Sequence, residues 1–444
     1  MTRPAAPSPL PGMPHAVGSQ SGGVGVVGAT ALGVGGMIGA GLFTMLGLSA
    51  QAAGGLLPLA IIIAGMAAGL TAYSYAQLSA RFPSRGGPAR FVVAGYGEGV
   101  LSGALNTFQF TAYAISLAMC ARSFGEYLAT AAGGWQNATA VIAGLTILAA
   151  VTVANLAGAG TVTKVETAVV AIELALLISL IVVGFASGGS TSAPGQTDGV
   201  MHVIAGAALM YTSFQGFAVI TNASGKMSRP RRTVPLATVI TLTIVALLYL
   251  GVAEVLVNQL SASVIAANAT HVLATLGGEI AGHVGLLIVS GCALLANASV
   301  LNAGLFGASG VGGYAARAGQ LPARLARPLG RNGSYGTVVT SGVVAVAVCV
   351  LPLQALGEVT TLMFLLVYAA ISVGHLRIRH QTGARAWVLV LAVLVNAVLF
   401  TALLLRAIAT GSTATVLTLP ALLVAAVLFQ TWWHRRHRHT AGAA

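Results

Sequence analysis

Apolar positions along this chain come in long runs, separated by short clusters of Gly, Pro and charged residues. Twelve runs can be bounded, at 23–49, 54–80, 97–130, 139–158, 163–187, 199–223, 233–258, 281–313, 336–353, 357–376, 386–408 and 413–433. Most are long enough for a membrane-crossing helix, which needs about 20 predominantly apolar residues. Strand-type alternation is absent, which removes an outer-membrane barrel. The pattern predicts an all-α polytopic membrane protein with twelve transmembrane helices and both termini on one face. Connections are short; the longest outer ones lie near 187–198 and 258–280. Any activity must therefore sit among the helices. The segment 81–95, with Pro83, Gly86, Gly87 and Pro88, reads as an ordered inner loop. Residues 1–21 read as a disordered tail with no cleavable signal, and 434–444 as a basic tail.

Composition strengthens this picture. Of 444 residues, 57% are hydrophobic and 7% charged, with a mean hydropathy of +0.90. A soluble domain carries about 25% charged residues, so lipid must be the solvent for most of the chain. The net charge of +13 could suggest nucleic acid, but placement argues otherwise. Of 21 Lys and Arg residues, only Arg122 and Arg406 fall toward the face opposite the termini. This is the positive-inside bias; it puts both termini in the cytoplasm of a plasma (inner) membrane protein and leaves little charge for a nucleic-acid role. Cys120, Cys292 and Cys349 are too few and scattered for a disulfide framework or zinc site.

Two runs carry breaks. The first contains GVGGMIGAGLF (33–43), five glycines in the middle of a membrane-length stretch, although each glycine in a helix interior costs roughly 1 kcal/mol against alanine. The sixth contains MYTSFQGFAVITN (210–222), where Thr212, Ser213 and Gln215 interrupt an apolar stretch just before Gly216. Five helices apart, these runs begin on opposite faces. Interrupted helices in corresponding positions of two inverted halves point to a transporter's binding site, because freed backbone at midplane needs protein, water or solute to satisfy it. The bland alternative is close helix packing through the GxxxG of Gly35 and Gly39; the second break favours unwinding. The pattern Gly23-x-Gly25-x-x-Gly28 follows no strand and is a chance match to a dinucleotide fingerprint.

Several stretches resemble the amino acid–polyamine–organocation permeases, especially the sodium-independent, proton-coupled amino acid permeases of bacteria and archaea. They are GVGGMIGAGLF, YSYAQLSARFPSRGGPARFVVAGYGEG (73–99), FQGFAVITNASGKMSRPRRTVPLA (214–237) and YAARAGQLP (314–322). The resemblance implies a LeuT-like fold: inverted repeats over 22–187 and 198–376, then two additional helices over 386–433. It also implies that Gly39, Ala40 and Gly41 offer backbone N–H groups to a substrate carboxylate. A half-helix N-terminus suits that role physically. Carbonyls around Phe214 to Gly216, with Gly35 and Gly36, would receive the amino group. Leu117 and Cys120 of the third helix and Thr212, Ser213 and Phe214 of the sixth would line a small, mostly uncharged pocket. Ser299 and Asn302 of the eighth helix are further candidate contacts. Three departures from the family pattern stand out: Gln215 and Ala218 flank the sixth-helix Gly-Phe where many relatives have an acid, Gly225-Lys226 replaces an acidic pair, and Glu173 takes the place of the usual fifth-helix lysine.

Of the eight acidic residues, only Glu173 falls deep within a run. As a structural group it would be a protonated acid bonding a neighbouring helix. Its functional role is a proton carrier or a counter-charge for a substrate amine, the default for an intramembrane ionisable group. His202 and His283 lie near outer ends, and Arg122 and Glu126 are spaced to pair on one helix. The expectation is a secondary active transporter for small or apolar neutral amino acids, coupled to protons, with no cofactor or metal, acting as a monomer or weak homo-oligomer in the lipid bilayer. A polyamine or organic-cation exchanger using Glu173 is the alternative. An integral-membrane enzyme lacks any nucleophile motif, metal cluster or catalytic loop here.

Overall fold

A computed structural model describes residues 24–84, 87–133, 137–157, 162–188, 199–330 and 333–441. The N-terminal tail over 1–21 and most of the outer connection at 187–198 lie outside the described residues. The chain is almost wholly helical. The helices are α1 (Val26–Met37), α2 (Phe43–Ala53), α3 (Leu57–Arg81), α4 (Pro88–Tyr96), α5 (Val100–Ala131), α6 (Asn137–Ala157), α7 (Val162–Ala186) and α8 (Val200–Tyr211). They continue with α9 (Phe217–Asn222), α10 (Pro230–Gln259), α11 (Ala262–Ala267), α12 (Val272–Arg317), α13 (Tyr335–Val350), α14 (Leu353–Thr382), α15 (Ala386–Ala409) and α16 (Thr413–Ala441). Among the described residues nine helices are long and apolar enough to cross a membrane, and the shorter apolar helices Val26–Met37 and Tyr335–Val350 accompany them. Large apolar side chains also cover the outside, with Leu417 71% and Val350 70% exposed. Only a lipid surrounding makes that surface favourable.

Three details differ from the sequence expectation. The inner loop 81–95 is helical over its second half, because Pro88 is pre-organised for a helix's first turn. The outer connection 258–280 folds into α11 and the start of α12. That helix bends at Gly282, whose φ of 61° is a conformation glycine adopts without steric conflict. The HRRHRH stretch is no separate tail: α16 carries it on as helix to Ala441. A minute antiparallel ladder, Pro328–Leu329 with Gly333–Ser334, is the one strand pair among the described residues.

At the centre, α5 packs against α6, α12 and α14, while α3 packs against α8 and α10. An aromatic cluster joins α3, α8, α9 and α14. Tyr75 and Tyr368 meet edge-on at 5.4 Å, and Phe217 and Tyr211 lie against Tyr368 at 5.6 and 5.9 Å. Buried edge-to-face pairs of this kind add about 0.5–1.5 kcal/mol each beyond their area, and they hold α8 and α9 on the core side of the bundle.

Candidate functional site

The first membrane run departs from α geometry where its glycines crowd. Between α1 and α2, residues Ile38–Leu42 form a π turn, and Gly39 alone leaves the helical region (φ −46°, ψ −136°). The departure within 33–43 is thus compact, one residue flanked by helix. The sixth run is interrupted more mildly: α8 ends at Tyr211, a 3₁₀ turn covers Thr212–Phe214, and α9 resumes at Phe217, while Thr212, Gln215 and Gly216 keep right-handed helical dihedrals. The two breaks touch. A Cβ added at Gly41 would sit 2.7 Å from Ser213 Cα, and one at Gly216 would sit 2.8 Å from Gly36 C. Backbone therefore lies on backbone, which only glycine permits here.

The remaining glycines face other partners. Gly35 lies against Val170 of α7, and Gly39 against Val300 of α12 with the Ala296 carbonyl beyond it. Close packing and helix interruption thus operate together in this stretch. Ala40 shares the π turn, its side chain outside the described set.

One side chain joins the two breaks. The Tyr249 hydroxyl of α10 lies 2.6 Å from the Met37 carbonyl and 3.2 Å from the Ser213 carbonyl, so its single proton is within donating reach of both and nearer to Met37. Its ring meets Phe214 edge-on at 5.1 Å. Sequence reasoning missed this residue. The available signal was a lone tyrosine in an apolar run, since a buried Tyr hydroxyl needs a partner. Thr212 is held differently. Thr361 of α14 donates to the Gly357 carbonyl at 2.9 Å, which leaves Thr212 as donor in the hydroxyl pair it forms with Thr361. On the other flank α5 fastens the start of α2, Thr44 donating to Ser123 at 2.7 Å and Tyr127 to the Phe43 carbonyl at 2.7 Å.

Glu173 is 2% exposed, and among the described residues its Oε2 has no hydrogen-bond partner. It lies within electrostatic reach of Tyr249 and of Cys292 on α12. Gln215 also carries a buried, unpartnered Nε2 beside the second break. Leu117 and Cys120 are buried on α5, Leu117 packing on Gly304 of α12. Of the eighth-helix candidates, Asn302 accepts from Asn155 of α6 at 2.7 Å, so α6 engages it. Ser299 is half-buried. Among the residues of α12, Ala296 and Val300 lie against Gly39.

Arg122 and Glu126 pair at 3.3 Å as their spacing suggests. Glu358 and Arg406 form a second pair at 3.6 Å. Glu358 is fully buried and also accepts from Gln354, Ser412 and Thr415. Its partners come from α14 itself, from α15, and from the entry to α16.

Residues 24–436 match the amino acid permease family. The chain belongs to that family. Its relatives include the inner membrane transport protein YbaT of Escherichia coli, 30% identical over 83% of this chain and 86% of the relative. An uncharacterized protein of Methanocaldococcus jannaschii is 29% identical over 82% of this chain and 84% of its own length. The methylthioribose transporter of Bacillus subtilis is 26% identical over 52% of this chain and 54% of its length. The protein is accordingly a multi-pass membrane transporter of amino acids or related solutes.

Proposed function

We propose that this permease is a secondary active transporter that carries small or apolar neutral amino acids across the plasma membrane with protons, by alternating access. In this reading twelve helices cross the bilayer in a LeuT-like arrangement, repeats over 22–187 and 198–376 are inverted, and both termini face the cytoplasm. The observation that carries it is the meeting of two interrupted helices whose carbonyls share the Tyr249 hydroxyl. Backbone freed at such a break can serve a zwitterion. The N–H groups of Gly39, Ala40 and Gly41 receive the carboxylate, while carbonyls at Phe214 to Gly216, with Gly35 and Gly36, receive the ammonium. Leu117, Cys120, Thr212, Ser213 and Phe214 bound a side-chain space without charge, and Ser299 and Asn302 complete its eighth-helix side. Glu173 carries the coupled proton, the default role of an ionisable group set within a membrane run.

The test is uptake into proteoliposomes. Glu173→Gln keeps the size and hydrogen bonding of the protonated acid, so the variant is expected to exchange substrate yet fail to accumulate it when the outside is acidified. Acid-driven accumulation at the wild-type level would make Glu173 a structural acid. A second reading has support from a relative named cationic amino acid transporter 2 of Arabidopsis thaliana, 31% identical over 51% of this chain and 39% of its own length. There Glu173 pairs with a substrate cation, and the transporter is a polyamine or organic-cation exchanger. In that case diamines compete with uptake, and Glu173→Gln loses binding and exchange together.

A further inference from the structure

At the basic end of the bundle, away from the two breaks, a cavity of about 360 Å³ opens between α3, α10 and α14. Its lining includes Arg81 and Gln77 from α3, Arg231 from the first turn of α10, and Gln381 and Thr382 from the last turn of α14. No carboxylate lines it. Among the described residues the ion pairs are Arg122–Glu126 and Arg406–Glu358, so no described acid pairs with either cavity arginine. Arg81 lies over the Phe82 ring at 5.8 Å, a contact that leaves its N–H groups free to donate. The positive end of the 30-residue helix α10 adds to the potential at Arg231.

The Thr382 hydroxyl is not available to a ligand. It donates to the Arg379 carbonyl at 3.0 Å and receives the Ala384 N–H at 3.3 Å. His375 Nε2 lies 2.8 Å away and must therefore donate to it, which leaves Nδ1 to accept from Ser74 at 2.8 Å. This buried chain fixes the inner ends of α3 and α14 relative to each other, so the rim of the cavity is set by the fold. The recognising groups are then two guanidinium forks and two side-chain amides.

We propose that this cavity binds a phosphoryl anion, clamped between Arg81 and Arg231. Guanidinium groups recognise phosphate through paired, charge-assisted hydrogen bonds. The volume falls within the range of small-molecule sites. Basic helix ends also lie at the depth of lipid headgroups, and anionic lipids are the ordinary partners of such clusters. The same chemistry is offered by a phospholipid headgroup and by free phosphate. Either ligand would tie α10 to α3 and α14.

The test uses the full chain in neutral detergent, with its thermal unfolding midpoint followed against added short-chain phosphatidylglycerol, phosphatidylcholine or inorganic phosphate. Phosphatidylglycerol is expected to raise the midpoint saturably while phosphatidylcholine does not, which assigns a lipid. A matching rise with phosphate at constant ionic strength assigns a soluble anion. In either case R81Q/R231Q should weaken the apparent affinity roughly tenfold or more, as expected when charge-assisted contacts are lost. R435Q/R436Q on α16 should leave it unchanged. Absence of any midpoint rise, a wild-type response in R81Q/R231Q, or an equal loss in R435Q/R436Q overturns the proposal. If the double variant does not fold, R231Q alone decides by the same shift.

Discussion

Tyr249 is the residue on which the two breaks converge. Its hydroxyl serves carbonyls at Met37 and Ser213 that belong to different interrupted helices. Tyr249→Phe keeps the ring contact with Phe214 and removes only the donor. Carbonyls left without a donor in a buried setting cost about 1–3 kcal/mol. The variant should therefore unfold at a lower temperature, and its uptake should require more substrate for half-maximal rate. An unchanged half-saturation concentration would separate Tyr249 from the transported solute. The neighbouring Glu173 is legible in the sequence because a lone acid within an apolar run is conspicuous. Tyr249 is not, since a tyrosine in such a run is ordinary until its partners are known.

At the scale of elements, the glycines of the first run do two things at once. They let the helix leave α geometry at Gly39, and they let backbone approach backbone at Gly36, Gly41 and Gly216. Gly41→Ala puts a methyl 2.7 Å from Ser213 Cα, a backbone atom that cannot rotate away. The α8 break must then shift, so substrate binding is expected to be lost and the melting temperature lowered. Normal binding by this variant, measured by substrate-dependent thermal shift, would make the contact incidental. A second junction of elements is purely structural. Glu358 on α14 takes Arg406 of α15 together with Ser412 and Thr415 at the entry to α16. Glu358→Ala strands a buried guanidinium and should destabilise by about 3 kcal/mol. Arg406→Ala should lower the melting temperature less, because the carboxylate keeps its other donors.

For the whole molecule, uptake reports which ion is coupled to transport. Glu173 lies within a membrane run, and a carboxylate is a competent ligand for a hard cation. Uptake into proteoliposomes with sodium replaced by choline is nevertheless expected to proceed at an unchanged rate. A large loss would assign Glu173 to a sodium site and not to a proton.

The sequence by itself determined the solvent, the class and the places of weakness. Long uncharged runs in a chain of mean hydropathy +0.90 admit only a helical membrane protein, and runs of glycine or hydroxyl residues inside them mark where helices give way. These are local properties, readable from neighbouring residues. Tertiary structure decided which residues meet. It set the breaks against each other, gave both to Tyr249, turned Asn302 toward α6, and buried Glu358 on Arg406. Those pairings depend on how helices rotate about their own axes. In lipid that rotation leaves little trace in hydropathy, because the outward and inward faces of a spanning helix are both apolar.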